Sequence, residues 1–525
     1  MKLIIVESPK KAKTIKKFLN KRFIVLASYG HILDLPKKKF GIYLKEGKLK
    51  YQYQVINWRF IKGLKSILRK SQEVYLATDP DREGEFIAWS ISQYLKNKKF
   101  YRIRFYEISK KAIYQALNQL DEINQNLVSA QQGRRFLDRI VGYSLSPLLW
   151  KKKIGQSAGR VQSAALRLIV DREKEIIEFK PEIYYQLEID FGNFSAYLLN
   201  QNKNYRFEEK DKKFLEKLLT ELKSSEFIVN KVIKDIKNIK KPTPLDTALL
   251  QRVGFSKYRF SAPLVMSLAQ SLYEKGIITY HRTDSFNLSS EFLSKVKNYL
   301  KDDYQSPYLI KKKFSQEAHE AIRPIYLRKE IKLPPLELKL YHLIFDYTLA
   351  SSSQSAIVEE MKYYLVPEKN KNLIFEARGE NLVKPGFLKY HPLPFSLKKS
   401  LNLKEGEKFI PKKINLLKKE TQPPPRYNEA SLIKTLKELG IGRPSTYAAI
   451  INILLKRNYI KKIKNYLQPT EIGKKVIDFL NDCYPEIIDL QFTAKMEESL
   501  DKIALGQLDY EKFIIDFWQL LKNHL

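Results

Sequence analysis

Four carboxylates fall within seven residues, Asp79, Asp81, Glu83 and Glu85, in a chain whose 95 Lys and Arg outnumber its 58 Asp and Glu. Repulsion makes such a cluster costly unless a cation or an arginine sits among its members. Mg²⁺ takes oxygen ligands and keeps several waters, so one or two carboxylates plus a substrate phosphate suffice. Asp79 and Asp81, two apart in an extended loop, can face one ion, with Glu7 joining them from a neighbouring strand. The competing reading is that the acids decorate a helix N-terminus, where the macrodipole favours negative charge. Glu85 is assigned to that simpler role. Lys11, near the start of a helix that follows Glu7, can hold a phosphate there or be a solvated lysine.

These residues need elements to position them. Lys2–Val6 is a short β-branched run that reads as a buried strand. Ser8-Pro9 reads as an N-cap followed by proline at the first helical position, opening a helix over Pro9–Leu19. Phe23–Ser28 and Glu73–Ala77 read as further strands, the second leading into the acidic loop Thr78–Glu85 and a helix over Phe86–Lys96. A strand over Tyr101–Glu107 and a Ser109-capped helix to about Leu120 follow. The alternation predicts an α/β layer with a largely parallel sheet, whose ligands bind beyond the carboxyl ends of the strands. Glu7 and the acidic loop both stand at such ends.

The composition bounds the rest. A length of 525 residues suggests about three or four domains. With 44% hydrophobic and 12% aromatic residues, the chain can bury real cores and is not a disordered basic tail. No apolar run approaches the roughly 18 residues that span a bilayer, and the four-residue run Leu3–Val6 is too short for a signal peptide. A single cysteine, Cys483, excludes internal disulfides and a multi-cysteine zinc site. A cytosolic (cytoplasmic) protein is expected. The net charge of +37 calls for a polyanion. No basic amphipathic anchor favours a membrane, so nucleic acid is the expected partner; nucleotide bias in the genome is the bland alternative.

Longer motifs narrow this. Val6–Ile15 (VESPKKAKTI), Ser28–Pro36 (SYGHILDLP) and Ala77–Glu85 (ATDPDREGE) resemble a Toprim domain. Gly276–Ser285 (GIITYHRTDS) resembles the active-site tyrosine segment of type IA DNA topoisomerases. Gln131–Tyr143, Ser157–Ser163 (SAGRVQS), Glu317–Pro324 (EAHEAIRP) and Glu438–Tyr447 (ELGIGRPSTY) are similar to the same family, in the family's order. Leu137–Lys152 looks like the bacterial topoisomerase I branch rather than topoisomerase III. His281 departs from both branches, which usually carry Met or Pro there, and Pro80 stands where Leu is common. The resemblance is to a core-only form without C-terminal zinc ribbons.

The resemblance implies a role for each matching residue. Tyr280 would attack a phosphodiester and become linked to a 5′-phosphate, conserving bond energy so that no ATP is needed; no P-loop motif occurs. Arg282 would offer its donor fork to the scissile phosphate. Glu7 would exchange a proton with the 3′-oxygen. Lys11 would contact the phosphate, and His319 would help organise it. Glu7, Asp79, Asp81 and Glu83 would form the Mg²⁺ site. Glu320 and Arg323 are read as a local brace.

A single-strand path is expected along His31, Arg134, Arg135, Asp138, Tyr143 and Trp150, where cations stand beside aromatics. It would continue through Ser157, Ala158, Gly159, Arg160, Val161 and Gln162, and on to Arg282 and Arg443. The alternative is a helix whose aromatics are core and whose Arg–Asp pairs are structural. Asn428–Leu439, Gly440–Gly442 and Pro444–Lys456 read as helix, turn, helix, with Tyr459–Leu467 as a wing.

The expected fold is multidomain α/β and α+β: a Rossmann-like Toprim domain, helical and winged-helix-like parts, and a β-rich arch closing a toroidal, padlock-like core. The expected division is residues 1–121 Toprim, 122–175 with 425–525 a helical DNA-binding base, 176–241 with 352–424 the arch, and 242–351 the tyrosine domain. Basic, proline-bearing Lys237–Pro244 and Thr421–Pro425 read as boundaries. The implied activity is ATP-independent relaxation of negatively supercoiled DNA by a magnesium-dependent monomer acting on single-stranded DNA. Contacts with RNA polymerase or other DNA machinery stay open. The alternatives are a topoisomerase III-like decatenase, an RNA topoisomerase, or a non-catalytic basic DNA-binding protein.

Overall fold

The computed structural model describes residues 1–95, 98–308 and 320–522. It opens on a four-stranded parallel sheet. Its strands are β1 (Lys2–Val6) and β2 (Phe23–Ala27), then Glu73–Leu76 and Lys99–Arg102, in the order β2, β1, third, fourth. β1 is buried along nearly its whole length, which explains its unbroken apolar run. Helix α1 (Pro9–Lys16) starts as the local signals dictate: Ser8 Oγ accepts from Lys11 N at 3.1 Å, and Pro9 occupies the first turn. Helix α2 (Trp58–Leu68) covers one face. Helix α3 (Arg82–Ser92) is capped by Asp81, whose Oδ1 accepts from Gly84 N at 2.8 Å. A Cβ on Gly84 would lie 2.2 Å from the Asp79 carbonyl oxygen, so only glycine lets the acidic loop fold back this tightly.

The fourth strand ends at Arg102, short of the expected Glu107. Ile103, Phe105 and Ile108 stay buried but leave the sheet, because this stretch runs beneath the tyrosine segment: Tyr280 N donates to Tyr106 O at 2.7 Å. Helix α4 (Lys110–Asn118) follows, capped by Ser109. Glu85 is not helix-end decoration. It is 1% exposed and bridges Arg102 (2.9 Å) and Arg104 (2.8 Å), holding the acidic loop to the fourth strand.

Helices α5 (Gln125–Lys151) and α6 (Arg160–Glu178) pack with the C-terminal helices around one large apolar core. A capping box of Asn428 and Ser431 starts the helix Glu429–Glu438; Tyr447–Lys456 and the hairpin Ile460–Ile463 with Tyr466–Pro469 follow. A seven-stranded antiparallel sheet joins Ile183–Asp190, Ser195–Leu198 and Phe227–Ile239 to Ala356–Pro367, Phe375–Lys384, Lys408–Phe409 and Lys413–Glu420. Chain from before and after the tyrosine segment thus shares one sheet. Lys237–Ile239 is not a linker but the end of a 13-residue strand, paired to Ala356–Val358. The tyrosine segment, between helices Ala262–Glu274 and Ser290–Leu300, shares a core with the inner face of the parallel sheet. Among the described residues, no helix is long and apolar enough to cross a membrane.

Candidate active site

Adjacent parallel strands bring Glu7 and Asp79 together, so that Asp79 N donates to Glu7 Oε1 at 3.1 Å. Lys11 is buried, and its Nζ reaches Asp79 Oδ1 at 2.8 Å. Tyr280, 2% exposed, donates its hydroxyl to Asp81 Oδ2 at 2.5 Å. Arg282 Nη1 lies 2.8 Å from Glu83 Oε2 and 3.9 Å from Asp81 Oδ2. His31 Nε2 meets the other Glu83 oxygen at 3.1 Å. The tyrosine segment thus lies directly against the acidic loop. His319 lies outside the described residues; Arg323, four positions later in the same motif, pairs with Glu320 and, at 3.1 Å, with Glu107.

Burial sets the charge states. It pushes the Glu7 carboxyl well above the usual range, and Asp79 adds to this against Lys11. Burial also opposes ionisation of Asp79, but Lys11 and a hydrogen bond from Glu7 outweigh it and hold Asp79 at about 2. Burial raises Asp81, partly offset by Arg282. Glu83 is held at about 2 by its hydrogen bond to His31, with Arg282 helping against burial. The Tyr280 phenol is pushed well up by burial, then by Asp81 and Asp79.

Among the described residues, no group of three or more His, Cys, Asp or Glu side chains is arranged to hold a metal ion. The four expected carboxylates do not converge, because Lys11 holds Asp79, Tyr280 holds Asp81, and Glu83 is drawn to His31 and Arg282. The donor set around Asp79 and Asp81 still fits Mg²⁺: it is all oxygen, two carboxylates suffice, and the crowding that raises Glu7 and Asp81 is what a cation relieves.

A groove of about 520 Å³ leads from these residues. His31, Asp81, Glu83, Arg134, Arg135, Asp138, Arg282 and Arg443 line it together, although they come from distant parts of the chain. Arg135 forms a fork on Asp34 at 2.9 and 2.6 Å. The SAGRVQS segment does not present its arginine. Arg160 is 1% exposed and lies 2.5 Å from Glu497 Oε1, while its Nε and Nη1 have no partner among the described residues. A buried carboxylate has drawn the guanidinium inward, and Ala158 and Val161 are core. Gly159 caps α6, and Gln162 Nε2 donates to Ser157 O at 3.0 Å, so these two shape the turn. Tyr143 and Trp150 lie outside the groove lining. Tyr143 donates to Lys37 O at 2.6 Å, and Trp150, 59% exposed, donates to Gln156 O at 2.5 Å.

Two groove residues, Arg82 and Asp501, and one buried acid behind them, Glu497, escape motif reasoning. Arg82 lies inside the acidic loop and reaches Asp501 at 2.5 Å; Asp501 also holds Arg443 at 2.6 Å. Glu497 stands one helical turn before Asp501 and faces Arg134 and Arg443 as well as Arg160. Both acids belong to Phe492–Asp501, where their spacing of four was the only available signal.

Known proteins agree with this architecture. Residues 2–108 match the Toprim domain and residues 122–515 match the DNA topoisomerase family. The chain is 42% identical to DNA topoisomerase 1 of Aquifex aeolicus (strain VF5), over 99% of this chain and 98% of that protein. The full-length topoisomerase I structure from Thermotoga maritima superposes with a TM-score of 0.88 at 36% identity, covering 99% of this chain and 90% of that one. The chain belongs to the type IA bacterial DNA topoisomerases.

Proposed function

We propose that this topoisomerase relaxes negatively supercoiled DNA without ATP, cutting one strand at Tyr280, passing the other and resealing. The observation that carries the site assignment is the Tyr280 hydroxyl on Asp81 with Arg282 beside both. In this closed arrangement the phenol is protonated and buried, so a strand must part Tyr280 from Asp81 before attack. The Tyr280 oxygen then bonds to phosphorus, its phenol proton passing to water that enters with the strand, while the 3′-oxygen leaves and takes a proton from Glu7, held protonated by burial. Lys11, on Asp79, and Arg282, beside Asp81 and Glu83, would place positive charge near the phosphate. Resealing reverses these transfers. Asp79 and Asp81 would hold Mg²⁺, which when bound supplies neutralisation and orientation of phosphate oxygens.

The proposed division is a Toprim domain over residues 1–121, a base over 122–175 and 425–525, an arch over 176–241 and 352–424, and a tyrosine domain over 242–351. The protein is proposed to work as a cytoplasmic monomer on single-stranded segments of supercoiled DNA. A plasmid relaxation assay with Mg²⁺ and no ATP tests the activity; unchanged linking number with folded protein refutes it. Tyr280→Phe is expected to abolish the covalent complex trapped by denaturant, and a persisting complex moves the nucleophile elsewhere.

A further inference from the structure

The carboxyl end of the parallel sheet carries a surface that the chemistry above does not use. Just past β2, the edge strand, Tyr29 adopts φ 60° and leaves its side chain 72% exposed. A left-handed backbone disfavours any residue with a Cβ, and such strain collects at binding sites. The surroundings impose it. Leu33–Asp34 pairs antiparallel with Gln54–Val55, Ile56 N donates to Ile32 O at 2.9 Å, and Asn57 Nδ2 donates to Ser28 O at 2.9 Å. Tyr29 and Trp58 therefore each follow directly on one partner of the Ser28–Asn57 hydrogen bond. Trp58, at the head of α2, is 60% exposed.

The helix extends this surface. α2 buries Phe60, Ile61, Leu64 and Leu68. Its opposite face carries Trp58, Lys62 and Lys65, with Arg69 at the C-cap, at spacings of four, three and four, and α2 contains no acid. Two aromatics left in water at the head of a cationic stripe suit a nucleic acid with unstacked bases; a duplex offers none. The surface also abuts the groove. Gly30 N donates to Glu7 O at 3.2 Å, and His31 lines the groove.

We propose that Tyr29 and Trp58 form a base-stacking platform, with the α2 cations as a phosphate track, for single-stranded DNA next to the catalytic groove. This rests on the reading of the protein as a topoisomerase. Tyr29→Asn is the decisive variant, because asparagine tolerates the left-handed backbone and lacks the ring; it should melt no lower than wild type. Binding of single-stranded oligonucleotides, followed by anisotropy without Mg²⁺, should weaken about tenfold per stacked base removed, in Tyr29→Asn and in Trp58→Ala. The salt dependence should keep its slope, since no charge is lost. Trp58→Phe, which keeps a ring, should bind nearly as wild type. With an abasic strand, wild type and variants should bind alike. Unchanged affinity of folded Tyr29→Asn, or an equal loss on the abasic strand, overturns the platform alone. Wild-type protein that ignores single strands overturns the topoisomerase reading with it. Tighter retention of duplex than of single strand would assign the surface to duplex DNA and also overturn the proposal.

Discussion

Glu7 and Tyr280 both keep their protons in the closed site, for the same reason: burial, sharpened by neighbouring carboxylates. For Glu7 the consequence is measurable. Its folded value lies above the unfolded value of about 4.3, so the stability tied to its proton is complete at acid pH and lost as pH rises through the folded value. Glu7→Gln removes that loss. The variant should melt a few degrees above wild type at about pH 8 while cleaving single strands about 100-fold more slowly. Thermal denaturation and single-turnover cleavage check the two halves, and a fast variant would end the proton-transfer role. His281 shows how the same burial permits a departure from family habit. Burial, then Arg282, pushes the ring down to about 3, so it stays neutral and packs beside Tyr273 and Tyr280 as an apolar side chain would.

At the scale of elements, the helix Leu490–Ala504 organises the groove. Its Glu497 and Asp501 face four arginines from separate segments: Arg82 of α3, Arg134 of α5, Arg160 of α6, and Arg443 in the Gly440–Pro444 turn. Glu497 is fully buried. Burial alone would raise its carboxyl, but Arg134, Arg160 and Arg443 outweigh that and hold it far below the usual range. Its stabilising contribution is therefore present above the unfolded value of about 4.3 and is lost as pH falls toward the folded value. Glu497→Gln should cost about 3–5 kcal/mol at neutral pH, as removal of one partner from a buried ion cluster does. It should also flatten the acid limb of the stability curve. Urea unfolding across pH checks this, and an unchanged acid limb would mean that other carboxylates govern it.

On the scale of the whole molecule, the chain carries a net charge of +37, yet several arginines of the groove are already matched by acids. Strand binding must exchange some of these internal pairs for phosphates, so the unmatched surface lysines supply much of the attraction. Five phosphate contacts, at a slope of about −0.7 each, would weaken single-strand affinity about 100-fold between about 50 and 200 mM salt. Relaxation should fall in parallel. A flat response would leave the lysines as compositional bias. Tyr280 lies in a core shared with the parallel sheet, so opening the site also exposes apolar surface. Ion exchange and apolar exposure together oppose opening until DNA is present.

Sequence by itself determined what depends on neighbours a few residues apart. The Ser8 and Ser109 caps, the Lys2–Val6 strand and the helix-turn-helix over Asn428–Lys456 are all local, and spacing reveals them. It also determined the family, because long ordered motifs carry that information. The fourth strand ends earlier than its pattern suggests, because Ile103, Phe105 and Ile108 stay buried while packing on a distant segment. The pairing of Arg160 with Glu497 joins residues 337 positions apart, so no local spacing announces that its guanidinium is buried. Tyr280 and Asp81 are separated by 199 positions, Arg82 and Asp501 by 419. Only tertiary structure decided such pairs. They depend on which faces of remote elements are buried together, and a side chain's charge and spacing do not record the partner that burial brings to it.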